Sequence, residues 1–237
     1  MKACVFGAGG GIGRALVIAL AARDDVETVY AASRSSSAGA GKIVSLDCDI
    51  LDEAAVARAA QDMAQQGVPE LVIVASGALH FPDGAGPERS LRALDAERMA
   101  QLFHINTIAP AMIARHVLPL FPREGRHVFA ALSARVGSIS DNRLGGWHSY
   151  RASKAALNML VRNFAIELGR THREAVIAAL HPGTVDTALS KPFQKGLPEG
   201  QLTTPEQAAV NLLAVLDGLA PEDSGGFFAW DGKPIPF

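Results

Sequence analysis

Short apolar runs alternate with longer stretches of helical period along the chain, and this alternation limits the possible folds more than any other feature. Ala3–Phe6 precedes a helical pattern from Gly11 to Ala22, and Thr28–Ala32 and Ile43–Leu46 read as the next two strands. The series continues with a helix over Glu53–Gln65, a strand Leu71–Ala75, a long helix Asp95–Leu120 and a strand His127–Leu132. It ends with a helix Ser149–Arg170, a strand Ala175–Leu180, a helix Pro205–Leu216 and a strand Gly226–Trp230. Strands this uniformly apolar are buried on both faces, the condition of a parallel sheet whose crossovers are helices. The expectation is an α/β chain: a doubly wound parallel sheet with helices on both faces. At 237 residues and 49% hydrophobic, the chain has material for one large core and hardly for two, so 1–237 reads as a single domain. Ligands of such sheets bind beyond the carboxyl ends of the strands.

Three segments read as loops: the Ser-, Gly- and Ala-rich Ser33–Lys42, and His80–Ser90 and Leu189–Thr204, which contain Pro and Gly and overhang the ligand edge. A formal net charge of −2, with no run of Lys or Arg, gives no electrostatic footprint for nucleic acid or an anionic membrane. The two cysteines, Cys4 and Cys48, lie in apolar strand-like segments, where a free thiol acts as a small hydrophobe. The chain starts at once with a strand, lacks a signal-peptide pattern, and nowhere approaches the ~18 uninterrupted apolar residues of a membrane helix. A cytoplasmic location fits these features. None of the seven histidines has metal-ligand spacing, and no Gly-x-Ser-x-Gly elbow is present.

Directly after the first strand comes Gly7-Ala8-Gly9-Gly10-Gly11-Ile12-Gly13, opening a helix. Glycines let the backbone approach a pyrophosphate, and the helix N-terminus supplies unpaired N–H groups and a favourable dipole. At the end of the second strand, a site for NAD(H) places a carboxylate against the ribose 2′-hydroxyl. Here Ser33-Arg34 stands instead. Arg34 can pair with a 2′-phosphate, with Ser33 as a further donor, so NADP(H) is favoured and NAD(H) is the alternative.

Tyr150 and Lys154 open an amphipathic helix four residues apart, on one face. A nearby ammonium stabilises a phenolate and brings its pKa down toward the working range, which suits Tyr150 to general acid/base work. Asn106 sits in the middle of the long helix, where Asn has poor propensity and no cap to make. His148 and His181 lie close to these motifs and are candidates for substrate contact.

The spacing of Gly7, Gly11 and Gly13, together with Tyr150-Arg151-Ala152-Ser153-Lys154, resembles the short-chain dehydrogenase/reductase family. Phe6 departs from that family's usual Thr before the first glycine. The resemblance implies a Rossmann-type sheet and hydride transfer between a nicotinamide dinucleotide and a small-molecule carbonyl or alcohol. It implies cofactor contacts from Gly7, Gly10, Gly11, Ile12, Gly13, Tyr150 and Lys154. Asp49 and Ile50 match an adenine site, although Asp49 also reads as a helix cap. Ala75-Ser76-Gly77 replaces the family's Asn-Asn-Ala-Gly and keeps only backbone contact. Pro182-Gly183, Val185 and Thr187 match the turn that holds the nicotinamide carboxamide. Asn106 is implied to hold a water in a proton relay toward Lys154. The catalytic serine is ambiguous: counting from the strand favours Ser133, counting back from Gly137 gives Ala134, and Ser138 is the fallback. Ser133 is taken for the role, polarising the substrate oxygen.

The stretch Ser133–Lys154 and the ending Trp230–Phe237 resemble one branch, the C-factor-like and sniffer-like carbonyl reductases. That branch leaves a second reading open, a dinucleotide-binding signalling or redox-sensing protein with little turnover. A dehydratase or epimerase on the same scaffold is a third. The resemblance also implies a homodimer or homotetramer through the helices of Asn106 and Lys154. Phe81, Trp147, Leu189, Phe193 and Leu197 point to a partly hydrophobic substrate.

Overall fold

The computed structural model describes residues 1–34, 39–81, 86–196, 198 and 200–237. Leu197 therefore lies outside the described residues, as do 35–38 of the loop Ser33–Lys42 and 82–85 of the loop His80–Ser90. Seven strands form one parallel sheet: β1 (Lys2–Phe6), β2 (Thr28–Ser33), β3 (Ile43–Asp47), β4 (Leu71–Val74), β5 (Val128–Leu132), β6 (Val176–His181) and, last in the chain, Phe227–Ala229. Their order is β3-β2-β1-β4-β5-β6 with Phe227–Ala229 at the far edge, so the winding reverses between β1 and β4. This is the Rossmann-type arrangement, and a crevice opens at the reversal.

The helices are α1 (Gly11–Ala21), α2 (Glu53–Gln66), α3 (Ala96–Phe103), α4 (Ala109–Val117), α5 (His148–Leu168) and α6 (Pro205–Gly218). Successive residues of β1 go to opposite faces: Cys4 and Phe6 join the core under α2, α4 and α5, while Ala3 and Val5 join the core under α1 and α6. Phe6, where the family has Thr, is fully buried, so that position contributes packing. Each such large apolar side chain contributes roughly 1.5–3 kcal/mol by burial. Among the described residues no helix is long and apolar enough to cross a membrane.

Two expectations need correction. The long helix expected over Asp95–Leu120 is not uniform: α3 and α4 are joined by a π-helical turn at His104–Ile108, and Leu118–Leu120 is a 3-10 turn. A π turn inserts one residue into the helical ladder, a feature that sequence period does not report. The loop expected over Leu189–Thr204 contains a short strand, β8 (Leu202–Thr203), which pairs in parallel with β7 (Thr184–Val185). The strand Phe227–Ala229 is β9.

Candidate active site

The cleft at the winding reversal is built first by glycines. Gly7 leaves β1 with φ +83°, and a Cβ there would lie 2.8 Å from the Ser76 amide nitrogen. A Cβ on Gly13 would lie 2.1 Å from the Gly7 carbonyl oxygen, so the turn closes only with glycine at both places. Gly11 meets Thr187, whose methyl would sit 2.7 Å from an added Cβ, and this contact brings the turn after β6 onto the glycine loop. Gly10 precedes α1 as its cap and has no side chain to occupy the helix N-terminus. A cavity of about 430 Å³ lies over this loop, walled by Gly7, Gly10, Ser33, Arg34, Asp49, Ile50 and Ala75–Gly77 among others. The Ser76 hydroxyl is buried in this region without a hydrogen-bond partner. Of the two readings of Asp49, the cap belongs to a neighbour: Asp52 accepts from the Ala54 amide and starts α2, while Asp49 accepts from the Leu51 amide at the cleft wall.

A second cavity continues from the glycine loop to α5. Its walls include Gly10–Ile12, Ser76–His80, Leu132, Ser133, Tyr150, Lys154, Pro182 and Thr187. Lys154 is buried, and its Nζ donates to the Leu132 carbonyl at 2.8 Å. Asn106, inside the π turn, is fully buried and joins three elements. Its Oδ1 accepts from the Ala78 amide at 2.8 Å, and its Nδ2 donates to the Ala78 carbonyl at 2.9 Å and to Ser153 Oγ at 3.1 Å. Thr107 Oγ1 donates to the Ser153 carbonyl at 2.8 Å, which ties the π turn to α5 beside Lys154. Gly77 lies between Asn106 and Lys154, since an added Cβ would stand 3.4 Å from Asn106 Oδ1 and 3.5 Å from Lys154 Nζ.

The electrostatics differ from the simple expectation for Tyr150. Burial pushes its phenol well above the ordinary range, and Lys154 Nζ, 6.0 Å from the ring centroid, does not offset this. Burial also pushes the Lys154 ammonium down, from 10.5 to about 8. The expected mutual stabilisation therefore gives way to desolvation of both groups, and Tyr150 stands as a protonated phenol.

Ser133 is buried in the wall shared with Tyr150, but its hydroxyl donates to Asn158 Oδ1 on α5 at 2.6 Å. Ala134 is the residue packed in one apolar cluster with Tyr150, Leu79, Phe81 and Leu102. Ser138 is buried away from this wall and accepts from the Asp141 amide. Pro182, Gly183, Val185 and Thr187 line a larger cavity of about 640 Å³ with Tyr150, Trp147, Leu189 and Phe193. Of the apolar residues expected there, Phe81, Trp147, Leu189 and Phe193 do gather around Tyr150. Trp147 packs on Phe193 with ring centroids 5.0 Å apart.

One residue escaped the sequence reading. Glu88 is 5% exposed, and its carboxylate accepts from both the amide and the hydroxyl of Ser149 at the start of α5. Its carbonyl accepts from the Trp147 amide, and Trp147 itself has φ +51°. An acidic residue in a loop carries no local sign of such a role, because the helix end it caps is about 60 positions away in sequence.

Residues 1–197 match the family model described as short chain dehydrogenase. The 1-hydroxy-2-glutathionyl-2-methyl-3-butene dehydrogenase of Rhodococcus sp. (strain AD45) is 35% identical over 195 residues, which cover 82% of this chain and 80% of that one. The C-signal of Myxococcus xanthus is 36% identical over 148 residues, 62% of this chain and 84% of its own. The NADPH-bound carbonyl reductase from chicken fatty liver superposes with a TM-score of 0.85 at 26% identity, covering all of this chain and 94% of that one.

Proposed function

The chain belongs to the short-chain dehydrogenase/reductase family and is an oxidoreductase of that family, and from that premise we propose that it is an NADP(H)-dependent carbonyl reductase in which Tyr150 is the general acid. The observation that carries this reading is one continuous cavity whose walls hold the glycine loop at one end and Tyr150 and Lys154 at the other.

The cleft fits a phosphorylated dinucleotide on its own geometry. Gly7 and Gly13 let the turn close, Gly9 and Gly10 line the cleft without side chains, and the unpartnered Ser76 hydroxyl is free to meet a polar ligand. When bound there, the cofactor supplies the hydride for carbonyl reduction or accepts it in the reverse direction. Amides at the start of α1 hold the pyrophosphate, and Arg34 with Ser33 holds the 2′-phosphate. Asp49 and Ile50 receive the adenine. Val185 and Thr187 hold the carboxamide end, with Pro182-Gly183 shaping that turn. Lys154, anchored through the Leu132 carbonyl, orients the ribose and holds positive charge beside Tyr150. Asn106 fixes the geometry between Ala78 and Ser153, and its turn would hold the water of a proton relay toward Lys154.

The phenol of Tyr150, kept protonated by burial, suits donation to the oxygen that becomes an alcohol. The wall of Trp147, Phe193, Leu189 and Leu79 selects a partly apolar carbonyl compound. The 35%-identical Rhodococcus dehydrogenase is named for an alcohol bearing a glutathionyl group, a precedent for a substituted substrate. Ile108, Met159 and Ile166 are exposed on the π turn and α5, and they supply an apolar face for a homodimer or homotetramer. Buried, unbridged Cys4 and Cys48 suit a reducing cytoplasm.

The test is a fluorescence titration with NADPH and NADH, followed by loss of NADPH absorbance against aldehydes, ketones and quinones. Turnover that disappears in Tyr150→Phe while NADPH binding persists is the expected result. Tight NADPH binding without turnover on any of these carbonyls would replace this reading with the signalling one. A protein that binds neither cofactor would end it.

A further inference from the structure

A carbonyl oxygen that accepts hydride at the neighbouring carbon gains negative charge, and a second hydrogen-bond donor beside the general acid stabilises it. In this site the wall packed on Tyr150 at the end of β5 is a methyl group, that of Ala134. The hydroxyl of Ser133 is committed to Asn158 Oδ1 at 2.6 Å and is directed at α5. Three more polar side chains of the cavity are also spent. Arg135 binds Asp141 at 2.6 Å, Arg151 binds the carbonyls of Gly146 and Val136, and Ser190 donates to the Val185 carbonyl.

His181 is different. It ends β6, where Leu180 pairs with Leu132 and its carbonyl accepts from the Ser133 amide at 2.7 Å, so His181 follows directly beside Ser133. It lines the cavity that holds Tyr150 and Ala134. Its Nδ1 is buried and has no hydrogen-bond partner. A proton on Nδ1 would be a buried donor without an acceptor, and on that ground the neutral ring is assigned the tautomer with its proton on Nε2. Nε2, unlike Nδ1, is not among the buried unpartnered atoms, which leaves it as the ring nitrogen available to the cavity that His181 lines. Burial, with the charge of Arg135 adding to it, holds the imidazole down at about 4, so the ring is neutral at physiological pH.

We propose that the His181 Nε2–H group is the second hydrogen-bond donor to the substrate oxygen, filling the place that a hydroxyl at Ala134 would take. His181 is then a catalytic residue, and the assignment rests on the reductase reading given above. It also explains why this chain tolerates alanine at residue 134: the donor has moved from the end of β5 to the end of β6.

The experiment compares NADPH oxidation with 4-nitrobenzaldehyde, or the best carbonyl of the panel, in the wild type, Tyr150→Phe, Ser133→Ala, His181→Leu, His181→Gln and Ala134→Ser/His181→Leu. Loss of one such donor costs about 10²-fold in kcat, and this is expected for His181→Leu with NADPH affinity within twofold of wild type. Ser133→Ala is expected to stay within fivefold. His181→Gln, which keeps an N–H at the Nε2 position, and the Ala134→Ser double variant are each expected to recover at least tenfold over His181→Leu. A purely structural histidine would lower the melting temperature and cofactor affinity, and Ala134→Ser would recover nothing. That outcome, full turnover in His181→Leu, or a Ser133→Ala loss as large as that of His181→Leu, overturns the assignment. A Tyr150→Phe protein as active as wild type, or a wild type inert toward every carbonyl, overturns the reductase reading itself, whatever His181 does.

Discussion

At the β1–α1 turn the wall of the cleft is backbone, and on the β5–β6 side it is side chains. The first side rests on Gly7 and Gly13, whose missing Cβ atoms let main-chain segments approach within contact distance, and on Gly11, which admits the Thr187 side chain. The second rests on Tyr150, Lys154 and His181, each buried or half-buried. A backbone cradle reads a feature shared by all pyrophosphates and tolerates a change of flanking side chains, such as Phe6 or Ala75-Ser76. A side-chain wall sets the chemistry, and one substitution there removes a function outright. The two sides also differ in what folding gains from them. The glycine loop costs backbone entropy when it is ordered, whereas Lys154 is an ammonium that burial disfavours.

Several substitutions would sharpen or break this contrast. The largest effect belongs to Tyr150→Phe, which leaves the cradle intact and should lower kcat by about 10³-fold with NADPH affinity unchanged. Steady-state kinetics beside a binding titration checks both halves. Next is Gly13→Ala, the reverse case. Its Cβ would press on the Gly7 carbonyl at 2.1 Å, so NADPH affinity should fall more than the residual kcat, and stability should drop by about 1–3 kcal/mol. Calorimetry and titration together decide it, and an unaffected cradle would show that the turn is not held by that contact.

Arg34→Glu should affect only the discrimination between cofactors. A charge-assisted bond is worth roughly 1.5–3 kcal/mol, so the NADPH/NADH affinity ratio should fall at least tenfold, with NADH binding little changed. Lys154→Met should separate stability from activity. The folded pKa of Lys154 is depressed to about 8, so its cost to stability is fully present below pH 8 and is lifted as pH rises toward 10.5. Denaturant titrations should therefore show Lys154→Met more stable than wild type at pH 7, by at most about 3 kcal/mol. The difference should shrink by pH 10.5, while kcat is lost throughout. An equal difference at both pH values would mean that the lysine is not buried as a charge. The smallest effect is at the cap of α5. Glu88→Ala should cost about 1 kcal/mol of stability and a few-fold in kcat, and Glu88→Gln should recover part of each.

Much of this design was legible before any coordinates. The alternation of apolar strands and helices specified the sheet and its crossovers, because burial on both faces leaves a chemical record at every residue of β1, β4, β5 and β6. The glycine loop and the Tyr150–Lys154 pair were legible because their spacing is local. The π turn at Asn106 was not, since one inserted residue leaves the pattern of apolar positions nearly unchanged. Ser133 shows a different limit. Its place at the end of β5 follows from counting, but the direction of its hydroxyl depends on Asn158, 25 positions away. Glu88 and the orphaned Nδ1 of His181 were invisible for the same reason: each is defined by what packs against it from a distant part of the chain.

Hydride transfer is the central claim, and isotope transfer tests it most directly. The protein is incubated with NADPH carrying deuterium at the transferable C4 position and with the best carbonyl of the panel, and the product alcohol is examined by mass spectrometry. One deuterium is expected at the former carbonyl carbon of each alcohol formed, matched one to one by NADPH consumed, with about 10³-fold slower formation of labelled alcohol by the Tyr150→Phe protein. NADPH that binds in the cleft yet gives no labelled alcohol from any carbonyl would contradict the claim.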